Sequence, residues 1–171
     1  MLVVALRLLT SYRVDPLDDA ALVRRRHVLI VDDEPPLRDI MAEALIAEGY
    51  GVETCDHGAH ALELLRRDRP DVIVLDLMMP VLDGWAFIEG YRDVAGADIP
   101  IVSVSAAMNR TVAERLKDLG VRICLAKSFD IEALIGAVQH AIGGAPARLD
   151  TDLEWQANRM GSVHGADAQG R

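Results

Sequence analysis

Hydrophobic and polar positions alternate between two periodicities along residues 27–143. Short apolar runs, typical of buried strands, occupy residues 27–33, 51–55, 72–76, 99–106 and 121–127. Between these runs, apolar residues recur every three or four positions, as Leu37, Met41 and Leu45 do, which is the spacing of an amphipathic helix. Five strands that alternate with five helices predict an α/β fold whose parallel strands are joined by right-handed crossovers.

Several residues mark where the predicted helices begin. Pro35 and Pro36 suit the first turn of the first helix, because a proline there forfeits no intrahelical hydrogen bond. Asp83 and Gly84 form a turn signal before the third helix, and Asp130 is the expected N-cap of the fifth. The second strand is more polar than the others, which predicts that it lies at an edge of the sheet.

Composition and charge narrow the class of protein. The chain has 171 residues, of which 51% are hydrophobic and 26% charged, and this fits one globular domain. Its net charge of −9 argues against nucleic acid or an anionic membrane as a partner. The apolar start is too short to span a bilayer and is broken by Arg7. Cys55 and Cys124 lack metal-ligand spacing, so we expect reduced thiols and a cytoplasmic location.

Reactive side chains lie at the ends of four of the five predicted strands. In open parallel sheets such groups gather at the carboxyl ends of the strands, and here they are Asp32, Asp33, Asp76, Ser105 and Lys127. Three carboxylates at one edge repel one another unless a cation lies between them, and oxygen ligands suit Mg²⁺ or Mn²⁺. Such an ion could also bind an incoming phosphoryl group while an aspartate acts as the nucleophile.

Each of these residues also has a structural interpretation. Asp76 could be a solvated turn residue, and the Asp32-Asp33 pair could cap the following helix. Ser105 could satisfy a backbone group in a loop, and Lys127 could be an ordinary cation at a strand end. The order and spacing of all these residues favour the phosphoryl-transfer interpretation.

Four segments carry a family resemblance: LIVDDEPPLR at 29–38, DVIVLDLMMPVLDGW at 71–85, PIVSVSA at 100–106 and LAKSFD at 125–130. Together they resemble the receiver domain of bacterial two-component response regulators. The resemblance implies a (βα)5 flavodoxin-like fold with strand order 2-1-3-4-5. We therefore expect a receiver domain at residues 26–144, a flexible N-terminal extension at 1–25 and a disordered tail at 145–171.

The resemblance also implies which residues carry the chemistry. Asp76 would be the phosphoacceptor. Asp33, Asp76 and the backbone carbonyl of Met78 would hold Mg²⁺, or Mn²⁺ in its place, with Asp32 assisting through water.

On the other side of the phosphoacceptor, Ser105 would be the switch hydroxyl, followed by the small Ala106, and Lys127 would contact the phosphoryl group. Three residues depart from the family pattern. Ser128 replaces the usual proline after the lysine, and Cys124 replaces the usual aromatic switch residue. Met78 offers no polar side chain next to the phosphorylated aspartate.

The implied function is a single-domain response regulator that is not an enzyme beyond its own phosphorylation and dephosphorylation. It would accept a phosphoryl group from a sensor histidine kinase or phosphotransfer protein, and then bind an output protein or pass the phosphoryl group on. The residues after 143 are too few and too acidic for a DNA-binding domain. One alternative is a degenerate receiver that acts as an interaction module. Another is an Asp-nucleophile phosphatase, although Asp76-Leu77-Met78 lacks that class's second acid, and a third is a flavodoxin, whose phosphate loop is rich in hydroxyls.

Overall fold

The computed structural model describes residues 25–96, 98–121 and 123–143. The strands are β1 (His27–Val31), β2 (Gly51–Cys55), β3 (Val72–Asp76), β4 (Ile101–Ser105) and β5 (Ile123–Ala126). The helices are α1 (Pro35–Ala47), α2 (Gly58–Leu65), α3 (Gly84–Ala95), α4 (Arg110–Asp118) and α5 (Ile131–Gly143). The predicted tail and all but the last residue of the predicted extension lie outside the described residues.

The five strands form one parallel sheet in the order β2-β1-β3-β4-β5. This confirms the predicted flavodoxin-like fold and the edge position of β2. Since all strands run in one direction, β1 begins at the amino edge of the sheet. Helix α5 follows the last strand and runs back, so it ends at the same edge. No helix among the described residues is long and apolar enough to cross a bilayer.

Both faces of the sheet are buried, as the apolar runs predicted. Leu29, Ile73 and Leu75 pack on the face covered by α2, α3 and α4. Val28, Val74 and Val102 pack on the face covered by α1 and α5. Strand β3 lies between β1 and β4 and is buried along its whole length, including Asp76. A carboxylate therefore ends the central strand of the core.

Three strands are shorter than the sequence indicated. The first ends at Val31, so Asp32 and Asp33 lie in the loop before α1. The fourth spans Ile101–Ser105, and the fifth ends at Ala126, one residue before Lys127. Loop positions leave these side chains free to turn toward the carboxyl edge, while backbone hydrogen bonds still anchor them: the Asp32 N–H donates to Cys55 O over 3.1 Å.

Candidate functional site

The carboxyl edge of the sheet brings three aspartates together. Asp32 follows β1 and Asp76 ends the neighbouring β3; their exposed fractions are only 1% and 2%. Asp33 is half-buried beside them. One carboxylate oxygen from each of the three lies within 4.8 Å of the others. The acidic cluster expected from the strand ends is therefore present.

Lys127 reaches into this cluster from the loop after β5. Its Nζ lies 2.8 Å from Asp76 Oδ2 and 3.2 Å from Asp32 Oδ2, and its side chain is 12% exposed. The Lys127 N–H donates to Ser105 O over 3.1 Å, which holds the end of β5 against the end of β4. One ammonium group thus neutralises part of the charge of two buried carboxylates.

Burial and ion pairing shift the pKa values of Asp32 and Lys127. Burial raises the pKa of Asp32, and the Glu34 N–H and the Lys127 ammonium oppose that shift without cancelling it. Burial by itself would lower the pKa of Lys127, but hydrogen bonds to Asp76 and Glu34, together with the charge of Asp32, raise it. Lys127 is therefore firmly protonated.

The oxygen atoms of the cluster fit a hard divalent cation. Asp32 Oδ2 is buried and accepts no hydrogen bond among the described residues, although the ammonium lies nearby. The Met78 N–H donates to Asp76 Oδ1 over 3.1 Å, which fixes the turn that follows β3. The Met78 carbonyl accepts no hydrogen bond from the part of the chain that the structure describes. Carboxylate and carbonyl oxygens with spare lone pairs are the ligands that Mg²⁺ prefers.

Ser105 lies at the same edge, but among the described residues its hydroxyl makes no hydrogen bond to the three aspartates. It is fully buried, and its Oγ accepts a hydrogen bond from the Ala107 N–H over 3.2 Å. Asp76 pairs with Val104 in the sheet, so Ser105 extends one residue further toward the edge than the aspartate does. Ala106 follows and is exposed. Since Oγ acts as an acceptor toward Ala107, its proton remains available for another partner.

Gly84 allows α3 to start directly against the end of β3. A Cβ atom at Gly84 would overlap the carbonyl oxygen of Asp76 and lie 2.7 Å from the Cα of Leu77. The Gly84 N–H donates to Leu77 O over 3.2 Å, and Asp83 caps the helix by accepting from the Ala86 N–H. The Asp83-Gly84 turn signal in the sequence is thus also a packing requirement of the site.

Glu34 belongs to the site, although sequence reasoning did not include it. Its Oε1 lies 2.5 Å from Lys127 Nζ, the shortest of that group's three ionic contacts. Its position at the N-cap of α1 was a usable signal, because glutamate is not a favoured cap and the next two residues are prolines. The sequence near Glu34 does not reveal its partner, because Lys127 lies far away in the sequence.

Known proteins match this chain over the same region. The family model of the response regulator receiver domain matches residues 28–139. Response regulator MprA of Mycobacterium leprae (strain TN) is 39% identical over 114 residues, which cover 66% of this chain and 49% of MprA. Transcriptional regulatory protein PdtaR of Mycobacterium tuberculosis (strain ATCC 25618 / H37Rv) is 37% identical over 129 residues, which cover 74% of this chain and 62% of PdtaR. The chain therefore spans about half to three fifths of the length of these curated relatives.

A solved structure is similar in both fold and sequence. It is the receiver domain of sensor histidine kinase PA1611 from Pseudomonas aeruginosa PAO1, with a magnesium ion coordinated in its active site cleft. The TM-score is 0.63 at 29% sequence identity, and the match covers 70% of this chain and 98% of that one.

Proposed function

This chain belongs to the response regulator receiver domain family, and from that premise we propose that Asp76 accepts a phosphoryl group from a sensor histidine kinase or a phosphotransfer protein. The observation that carries the proposal is the position of the Asp76 carboxylate. It ends the central strand, lies beside two further carboxylates and contacts the Lys127 ammonium over 2.8 Å. This is the arrangement of acids and cation that phosphoryl transfer to a carboxylate needs.

Mg²⁺, or Mn²⁺ in its place, fits the cluster of acids. Asp33, Asp76 and the Met78 carbonyl would hold the ion, and Asp32 would assist through water. When bound, the ion neutralises charge on the transferring phosphoryl group. The magnesium in the cleft of the PA1611 receiver domain supports this assignment. So does the buried Asp32 Oδ2, which accepts no hydrogen bond among the described residues although the Lys127 ammonium lies 3.2 Å away.

The transfer itself is a substitution at phosphorus. A carboxylate oxygen of Asp76 attacks the phosphorus atom of a phosphohistidine, and an oxygen–phosphorus bond forms while the phosphorus–nitrogen bond breaks. The leaving imidazole nitrogen keeps the electron pair and takes up a proton. The product is an aspartyl phosphate, and the chain's own contribution is to orient the carboxylate and stabilise the developing charge.

After transfer, two more residues contact the phosphoryl oxygens in this proposal. Lys127 places a compact charge beside one oxygen, and the Ser105 hydroxyl donates to another. Ala106 leaves room for the group because it has no side chain beyond Cβ. The Ser105 proton is available because its oxygen already accepts from the Ala107 N–H.

We further propose that this receiver domain signals by a phosphorylation-dependent contact with another protein or by onward transfer of the phosphoryl group. The net charge of −9 supports a protein partner over nucleic acid. The phosphatase alternative receives no support from the site. The residue two positions after Asp76 is Met78, whose exposed side chain offers no acid.

Intact-mass analysis tests this function. The protein is incubated with MgCl₂ and phosphoramidate, a small phosphodonor, and we expect one added phosphoryl group. Asp76→Asn abolishes the addition, whereas Asp93→Asn, which removes an exposed carboxylate from α3, leaves it unchanged. Labelling that persists in Asp76→Asn, or with EDTA in place of magnesium, contradicts the assignment.

A further inference from the structure

Glu34 gives the site a third carboxylate for Lys127, and we propose that it is a positioning residue that lets Mg²⁺ compete with the lysine for Asp32 and Asp76. The inference rests on the magnesium site proposed above. Its basis is that one ammonium group is shared among three acids, two buried and one exposed.

The local sequence reduces the usual capping task of Glu34. An N-cap side chain accepts a hydrogen bond from the N–H of the second or third helical residue. The first two residues of α1 are Pro35 and Pro36, and proline has no N–H to donate, so the Leu37 N–H is the one donor left for a cap. The Glu34 side chain makes no capping hydrogen bond, and its carboxylate extends to Lys127 instead. Helix α1 therefore loses little when Glu34 turns toward the site.

The backbone of Glu34 is held by the same cluster. Its N–H donates to Asp32 Oδ1 over 2.8 Å. Arg38, one turn into α1, donates from its guanidinium to Asp32 O over 2.6 Å. Asp32 thus fixes Glu34, and Glu34 in turn contacts the lysine that pairs with Asp32. Contacts with Asp32 and Lys127 therefore hold Glu34 in place at both its backbone and its carboxylate.

The charges explain what this contact does. Asp32 and Asp76 are buried, whereas the Glu34 side chain is 61% exposed at the mouth of the pocket. Without Glu34, the ammonium has only the two buried carboxylates as partners, and these are the groups that surround the proposed metal position. A divalent ion must then displace the lysine from them. With Glu34 present, the ammonium keeps a partner at the mouth when the ion binds.

Magnesium affinity, measured by titration calorimetry on the full chain, tests the proposal. Glu34→Gln is compared with Glu43→Gln, which removes an exposed charge from the same helix without a side-chain contact to Lys127. We expect Glu34→Gln to weaken Mg²⁺ binding about threefold or more, the effect of one modest ion pair. Glu34→Asp keeps the charge but shortens the side chain, so we expect most of the same loss.

Repeating the comparison in a Lys127→Ala variant separates the effect of the Glu34–Lys127 contact from that of the Glu34 charge alone. In Lys127→Ala, Mg²⁺ binds more tightly because its competitor is gone, and Glu34→Gln then changes affinity no more than Glu43→Gln does. Three outcomes would contradict the role of Glu34 while leaving the metal site intact. They are an equal loss of Mg²⁺ affinity from Glu34→Gln in both backgrounds, wild-type affinity in Glu34→Asp, and equal affinity in Glu34→Gln and Glu43→Gln. A wild-type chain that binds no Mg²⁺ overturns the metal site and this inference together. Circular dichroism checks that each variant is folded.

Discussion

The Nζ atom of Lys127 lies 2.8 Å from Oδ2 of Asp76, so the pocket contains a cation of its own before any ligand arrives. The lysine stabilises a buried carboxylate that would otherwise be costly to keep ionised. In the proposed function, the same ammonium group stabilises an incoming phosphoryl group. The same contact therefore serves the folded state and, in the proposed function, has to be exchanged during phosphoryl transfer.

Removing this cation is expected to destabilise the metal-free protein. Lys127→Ala leaves Asp32 and Asp76 buried without this counter-ion, at a cost of roughly 3 kcal/mol in the free energy of unfolding. Urea denaturation with EDTA measures this loss, and added Mg²⁺ should recover part of it. Lys117→Ala is the matched control, because it removes the other lysine from the exposed surface of α4. Equal stability of the two variants in EDTA would show that the ion pair contributes nothing to folding.

Gly84 is expected to tolerate no side chain. Gly84→Ala places a Cβ against the backbone of Asp76 and Leu77, so α3 or the end of β3 must move, at a cost of roughly 2–3 kcal/mol. Gly90→Ala in the same helix meets nothing within 4 Å and should gain about 0.5–1 kcal/mol from helix propensity. Chemical denaturation compares the two. If the two variants change the free energy of unfolding in the same direction and by a similar amount, the close approach at Gly84 does not limit the side chain there.

Val81 is expected to be strained. It is a β-branched residue with φ 68°, in the left-handed region, and its side chain is 81% exposed, so packing does not compensate. Val81→Asn should raise the free energy of unfolding by about 1 kcal/mol, because asparagine tolerates this conformation. Val81→Thr adds polarity but keeps the branch, and should gain nothing. A thermal melt of the three proteins decides whether conformation or polarity matters.

Tyr91 is expected to make stability fall at alkaline pH. Burial, together with its hydrogen bond to Asp98, raises the pKa of Tyr91 from 10.0 to about 12. The folded state therefore keeps a proton that the unfolded state releases, so the contribution is complete below pH 10 and is lost as pH rises through 12. Tyr91→Phe should be less stable near neutral pH by about 1 kcal/mol but decline less between pH 10 and 12. Tyr50→Phe should keep the steeper wild-type decline.

The two cysteines are expected to remain separate and unreactive. Cys55 lies on β2 and Cys124 on β5, at opposite edges of the sheet, about 19 Å apart at roughly 4.8 Å per strand step. A disulfide needs Cα atoms within about 7 Å. Burial raises the pKa of Cys55 to about 12 and that of Cys124 to about 11, so few thiolates exist at pH 8. Mass spectrometry after iodoacetamide should show slow labelling of the native protein, and an intramolecular disulfide in the native monomer contradicts the strand order.

Sequence reasoning predicted the parts of the fold that depend on local pattern. The apolar run from Val72 to Leu75 indicated a buried strand, and the helical spacing between strands indicated five helices, all of which are present. Sequence reasoning also predicted that the acids at the strand ends lie together, because parallel strands present their carboxyl ends at one edge of the sheet. The strand order came from the family resemblance, since periodicity alone does not say which strands are neighbours.

The remaining features depend on contacts across the fold. No local pattern pairs Glu34 with Lys127, because the two residues are 93 positions apart in the sequence. Lys127 follows β5, the edge strand opposite β2, and only the folded sheet brings it to Glu34. The left-handed backbone at Val81 runs against the preference of its own side chain, so propensity points the wrong way. The Ser105 hydroxyl was expected to donate to a phosphoryl oxygen; in the structure, its one hydrogen-bond partner among the described residues is the Ala107 N–H, toward which it acts as acceptor.

Both ends of the domain leave from the amino edge of the sheet, while the acidic pocket opens at the carboxyl edge. Each strand has four or five residues, so roughly 15 Å of core separates the two edges. A reporter protein, an affinity tag or an anchoring surface attached before His27 or after Gly143 would thus start on the far side from Asp76. The geometry makes the domain a convenient cassette for biosensors, since cargo can be exchanged at either end without crowding the edge at which, in the proposed function, a phosphodonor binds.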